Sequence, residues 1–205
     1  MEDKKWINQF YTEMNKSMFP NELIDWMIDF KKIVQETSKN GNKMIFGGNG
    51  ASNIIGTHGY LDYMNQLGIK CITLDNGSFI TAASNDFGYE NIFKRSVDIL
   101  AEKGDVVVLI SSSGRSPNVV NAAKRATEKG CKVITFSGFK EDNPLRSLGD
   151  VNFWVNNDKY NIVESVHNAW LVSVVDLIIK DNPDKVGIHG LEFDVKGIDN
   201  NEIDV

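Results

Sequence analysis

Two cysteines in 205 residues, Cys71 and Cys131, leave no material for a disulfide scaffold. Each stands just ahead of a strand-like run, at 72–74 and 133–136, where a buried thiol in a reducing compartment is the expected state. Clustered positive charge is also missing. Lys and Arg number 22 against 28 Asp and Glu, a formal net charge of -6, whereas nonspecific binding to a nucleic-acid backbone needs a concentrated basic surface. No window approaches the roughly 20 apolar residues of a membrane span, and residues 1–6 open a mixed amphipathic pattern rather than an apolar leader. Neither a dinucleotide fingerprint nor a Gly-Lys-Ser/Thr phosphate loop occurs, which argues against a nucleotide cofactor. These absences predict a cytoplasmic globular protein with no nucleic-acid or membrane partner. The hydrophobic content of 41% is enough for the core of one α/β domain.

What is present is organised around residues 106–120, Val-Val-Val-Leu-Ile-Ser-Ser-Ser-Gly-Arg-Ser-Pro-Asn-Val-Val. Five unbroken apolar, mostly β-branched residues suit a strand covered on both faces of a parallel sheet. The run then gives way to Ser111, Ser112, Ser113 and Ser116 around a glycine, and Pro117 stands where the first turn of a helix begins. Hydroxyls and free backbone N–H groups at a helix N-terminus favour an anion, and phosphate is the expected guest. Helix capping with no ligand is the alternative for such a turn.

A second loop of this type follows the strand predicted at 43–47. Gly48, Asn49, Gly50, Ala51 and Ser52 combine backbone freedom with polar side chains at the start of another helix. Two such loops at strand ends point to the carboxyl edge of an open parallel sheet, where ligands gather. Before them, apolar residues at helical spacing on either side of Pro20 predict two amphipathic helices over 5–40. Strands at 71–74, 132–137 and 151–155 and helices at 91–103, 118–129 and 161–180 complete a doubly wound, three-layer α/β sandwich with a mainly parallel five-stranded sheet. Residues 78–87 read as a loop or short helix ending in Asn85-Asp86-Phe87-Gly88, a turn able to present polar groups to a pocket. One domain spans 1–180; an acidic tail occupies 181–205, and its isolated hydrophobes Ile188, Leu191, Phe193 and Val195 suggest a docking strand.

Two pairs of titratable residues accompany the loops. His58 and Asp62 lie one turn apart on the helix after the glycine loop, and Glu164 and His167 sit near the start of the last helix. Each pair suits proton transfer, metal ligation or a plain structural role.

The motifs at 48–52, 84–90 and 108–119, in that order, resemble those of the sugar isomerase (SIS) family, and within it the phosphoheptose isomerases, over about residues 6–180. The resemblance implies a homotetramer with sites built between subunits and a phosphorylated sugar held by Asn49, Gly50, Ser52, Ser111, Ser112, Ser113 and Ser116. Asn85 and Asp86 would line the site. It also implies aldose–ketose isomerisation in the synthesis of heptose for surface polysaccharide. The family's catalytic His and Glu after the first loop fall at His58 and Asp62. Its Gln and His on the last helix fall at Val163 and Leu171, which carry no such groups. His167, midway between those positions, with Glu164 beside it, is the expected replacement, so His58, Asp62 and His167 become the expected ligands of a divalent metal such as zinc. Loss of the usual Gln and His also leaves open a non-catalytic module that binds phosphosugars or proteins.

Overall fold

The computed structural model describes residues 1–181. Two covering helices, α1 (Glu2–Met18) and α2 (Leu23–Lys39), precede the sheet and are separated at Pro20, whose carbonyl accepts the Leu23 N–H. Then follow β1 (Lys43–Gly48), α3 (Ala51–Leu67), β2 (Lys70–Thr73), α4 (Gly77–Phe87) and α5 (Ile92–Leu100). The second half comprises β3 (Val106–Ser111), α6 (Pro117–Glu128), β4 (Lys132–Gly138), β5 (Val151–Val155) and α7 (Tyr160–Ile179). Short 3₁₀ turns occupy Tyr89–Asn91 and Pro144–Ser147.

All five strands pair in parallel, in the order β2-β1-β3-β4-β5. Alternation along each strand divides the core in two. Met44, Phe46, Val106, Val108, Ile110, Phe136 and Phe153 meet α2, α3 and α7, with α1 packed over them, while Ile45, Val107, Leu109 and Val133 meet α5 and α6. The first core is aromatic: Phe136 and Phe153 stack at 4.5 Å, and Phe30 of α2 packs edge-on against both. Such ring contacts add to what burial alone contributes.

The segment at 78–87 is a full helix, because the Asn76 side chain accepts the Phe79 N–H and caps its first turn. The helix predicted to reach Lys103 stops at Leu100 instead. Ala101 is extended and the Glu102 N–H turns to Asp105 Oδ2 at 2.8 Å. Asp105 also accepts the Lys43 N–H at 3.0 Å and its ammonium at 2.6 Å, fastening the start of β1 to the turn before β3. Both cysteines are reduced and buried. Helix α7 is long and apolar enough to cross a membrane by composition, yet half of its apolar stretch is buried inside the fold. The tail hydrophobes Ile188, Leu191, Phe193 and Val195 lie outside the described residues.

Candidate active site

Strand order reverses between β1 and β3, and their following helices leave on opposite faces, α3 toward the aromatic core and α6 toward the other. A crevice therefore opens between the two loops, the position where open parallel sheets bind ligands. The glycine loop and the serine loop form its walls, as their sequences predict.

In the serine loop, Ser111 and Ser112 are buried and Ser113 and Ser116 are half-buried. Ser111 Oγ donates to Ser116 Oγ at 3.2 Å, and the Arg115 N–H donates to Ser113 Oγ at 3.3 Å. Ser116 stands at the N-cap of α6, but its hydroxyl makes no capping bond, so it is available to a ligand at the positive end of the helix. Gly114 is required twice over. Its φ of +61° is left-handed, and a Cβ there would meet Asn143 Oδ1 at 1.9 Å. Arg115 points outward and pairs with Asp142 at 2.7 Å.

Across the crevice, Gly50 caps α3 with its carbonyl, which accepts the Asn53 and Ile54 N–H groups, and Ser52 is buried in the first turn. Asn49 does not stand free. Its amide exchanges two 2.9 Å hydrogen bonds with the Asn118 amide of α6 and accepts a third from the Tyr89 hydroxyl at 3.0 Å. Three motifs thus converge on one side chain. Asn85 and Asp86, by contrast, are exposed on the last turn of α4, and their side chains bond to each other at 3.0 Å.

Helix α7 supplies the third wall. Ser112 Oγ donates to Glu164 Oε1 at 3.3 Å. One turn on, Asn168 Oδ1 lies 2.9 Å from His58 Nδ1, and His58 Nε2 lies 3.3 Å from Asp62 Oδ2. A polar row therefore runs from the serine loop through Glu164, Asn168 and His58 to Asp62. Further along α7, burial first and the Asp62 charge second push the Asp176 carboxyl up from its ordinary value.

His167 is not in this row. It is fully buried, its Nε2 donates to the Ser137 carbonyl at 2.9 Å, and its ring meets Phe136 edge-on. Burial pushes its pKa down to about 4, against the opposing effect of the Ser137 bond, so the ring is neutral. The expected replacement of a catalytic or metal-binding histidine by His167 is corrected accordingly. A residue three positions after Glu164 is turned by about 300° around the helix, and the side that His167 occupies faces β4 rather than the crevice. Val163 and Leu171 are buried too; Leu171 lies over Gly59, where a Cβ would come within 2.7 Å of Leu171 Cδ2.

Tested as a metal site, the row offers two suitable donors, His58 Nε2 and the Asp62 carboxylate. No group of three or more His, Cys, Asp or Glu side chains able to hold a metal occurs among the described residues. Structural zinc takes four ligands and catalytic zinc three from protein, so His58 and Asp62 do not by themselves fit a zinc centre.

Asn118, Tyr89 and Asn168 escaped the sequence reading. Asn118 and Tyr89 lie inside the motifs that carried it, but an asparagine at a helix start reads as a cap, and neither a tyrosine after a turn nor an asparagine in mid-helix announces a partner distant in sequence.

The fold and its switch-point crevice define a doubly wound α/β protein with two polar loops at the carboxyl edge of its sheet. The chain belongs to the SIS domain family, whose model matches residues 16–138. It is 37% identical over 153 residues to a phosphoheptose isomerase of Aliarcobacter butzleri, covering 72% of this chain and 80% of that one. A phosphoheptose isomerase of Sodalis glossinidius is 33% identical over 159 residues, covering 75% and 81% respectively. The solved phosphoheptose isomerase of Francisella tularensis superposes with a TM-score of 0.79 at 23% identity, over 88% of this chain and all (100%) of that one, a likeness of fold.

Proposed function

We propose that the protein is a phosphosugar aldose–ketose isomerase that interconverts sedoheptulose 7-phosphate and the corresponding aldose phosphate, in heptose synthesis for surface polysaccharide. The observation that carries this reading is the polar row from Ser112 to Asp62: it joins an anion-binding loop to an acid/base pair within one crevice. The names of the relatives at 37% and 33% identity support the substrate class.

The phosphate sits against Ser111, Ser112, Ser113 and Ser116 at the N-terminus of α6 and holds the sugar in register. In a 7-phosphate, the reacting C1 and C2 lie at the far end of the carbon chain. Asn168 is one helical turn, about 6 Å, beyond Glu164, so His58 and Asp62 stand at that far end and Glu164 stands near the phosphate. Asp62 removes the C1 proton of the ketose to give an enediolate, His58 moves protons between O1 and O2, and the Asp62 proton returns to C2. The step conserves atoms and needs no redox partner. A divalent ion at His58 and Asp62 would take its remaining ligands from outside the chain's own row, and the mechanism is not routed through one.

A homotetramer in the cytoplasm completes the proposal. Exposed apolar side chains on α1 (Trp6, Ile7, Tyr11) and α3 (Ile54, Leu61, Met64) support an assembly that covers these faces. A second reading, a non-catalytic phosphosugar sensor, is favoured by one observation: Val163 and Leu171, at the family's Gln and His positions, are buried among apolar residues. Incubation with sedoheptulose 7-phosphate, with and without zinc, separates the two. Aldose product is the expected result; a raised melting temperature without product selects the sensor.

A further inference from the structure

The bridge across the switch point has a fixed polarity, and it makes one exposed hydroxyl a ligand group. A backbone N–H can only donate. Val119 N–H meets Asn118 Oδ1 at 3.0 Å, which sets the amide of that fully buried side chain. Asn118 Nδ2 must then face Asn49, so the atom receiving it at 2.9 Å is Asn49 Oδ1, and Asn49 Nδ2 returns the second bond to Asn118 Oδ1. Inverting either amide would set donor against donor and acceptor against acceptor, inside a site where a lost hydrogen bond is costly.

The consequence passes to Tyr89. Asn49 Oδ1 has two acceptor positions, and Asn118 fills one; the other lies 3.0 Å from the Tyr89 hydroxyl, which must donate to it. The phenolic proton is therefore committed, and the oxygen can serve a further partner only as an acceptor. Tyr89 is 53% exposed, and its hydroxyl sits against Asn49 of the glycine loop. Asn49, in turn, keeps a single N–H without a partner among the described residues. Phosphate oxygens at neutral pH offer acceptors, mostly without protons, so an acceptor cannot recognise them. A sugar hydroxyl can donate.

We infer that Tyr89 is a specificity residue that accepts a hydrogen bond from a hydroxyl of the sugar, and that Asn118 is the positioning residue that commits its proton. This deepens the phosphosugar reading of the site and rests on it. The test is calorimetric binding of sedoheptulose 7-phosphate and of inorganic phosphate to the whole protein, its Tyr89→Phe and Asn118→Asp variants, and the double variant. Tyr89→Phe is expected to bind inorganic phosphate like the parent and the sugar phosphate about 3- to 10-fold more weakly, the worth of one hydrogen bond. Asn118→Asp still accepts the Val119 N–H but sets an oxygen against Asn49 Oδ1 in either orientation of that amide, which breaks one of the two bridging bonds and no longer holds Asn49 Oδ1 at the tyrosine hydroxyl. Adding Tyr89→Phe to it should then cost the sugar little more, a non-additivity that a merely structural asparagine would not produce. Unchanged sugar affinity in Tyr89→Phe overturns the inference, as does equal weakening of both ligands, and because Tyr89 is half exposed this variant decides even where Asn118→Asp does not fold. A parent protein that binds inorganic phosphate but no phosphosugar overturns the functional reading itself.

Discussion

Ser112 Oγ and Glu164 Oε1 meet at 3.3 Å, so the carboxylate of the last helix touches the loop expected to hold the phosphate. An anion beside an anion site weakens it. Two like charges about 4 Å apart near a surface repel by a few kcal/mol at an effective dielectric of 20, and less when salt screens them. Glu164→Gln keeps an acceptor for Ser112 and removes the charge. It is expected to bind inorganic phosphate several-fold more tightly at low salt, with the difference shrinking as salt is added. Calorimetry at two ionic strengths checks this, and equal affinities at low salt would place the phosphate away from Glu164.

Asp62 is expected to carry the chemistry and not the binding. Asp62→Ala should lower turnover of sedoheptulose 7-phosphate by about 10²- to 10⁴-fold, the usual worth of a positioned general base. Its affinity for inorganic phosphate should stay near that of the parent, since the serine loop is untouched. Parent-like turnover in the variant removes Asp62 from the mechanism.

His167 predicts an acid-sensitive stability. Its folded pKa of about 4 lies below the ordinary 6.5, so between these values the unfolded chain binds a proton that the folded protein does not. Stability therefore falls as pH drops from 6.5 to 4, by about 3 kcal/mol in total, and this contribution is flat below that range. Urea melts of the parent and of His167→Gln at pH 7.5, 5.5 and 4.5 check it, with a smaller acid loss expected in the variant. Parallel pH profiles would contradict the buried, neutral ring.

Asp105 acts at still lower pH. Burial pushes its carboxyl up, but the Lys43 and Glu102 N–H groups and the Lys43 ammonium prevail and hold it below the ordinary 3.8. Its contribution is thus present above that value and lost as pH falls through the depressed one. Asp105→Ala strands a buried turn and is expected to lower stability at neutral pH by about 2–4 kcal/mol, read from the urea midpoint.

The aromatic core sets the scale for comparison. Phe153 is fully buried and touches Trp26, Phe30, Phe136 and Trp170 through its ring. Phe153→Ala should cost about 3–5 kcal/mol by the lost transfer energy and the cavity left behind. A loss below about 1 kcal/mol in chemical denaturation would mean that the core had collapsed around the gap.

The elements and the two polar loops were legible in the linear chain because their causes are local. An unbroken β-branched run at Val106 to Ile110, a proline at the head of α6 and glycines after β1 act within a few residues. Even where boundaries shifted, at Gly77 and Leu100, the causes were one cap and one hydrogen-bonded aspartate. The direction of His167 was beyond that reach. Position three along a helix neighbours position zero in any sequence, and only the packing of α7 on β4 turned one residue to the core and left Glu164 at the loop. The same holds for the amide bridge. Asn49, Tyr89 and Asn118 lie far apart in the chain, and their donors and acceptors acquired a direction only when the reversal of strand order between β1 and β3 brought both loops to one crevice.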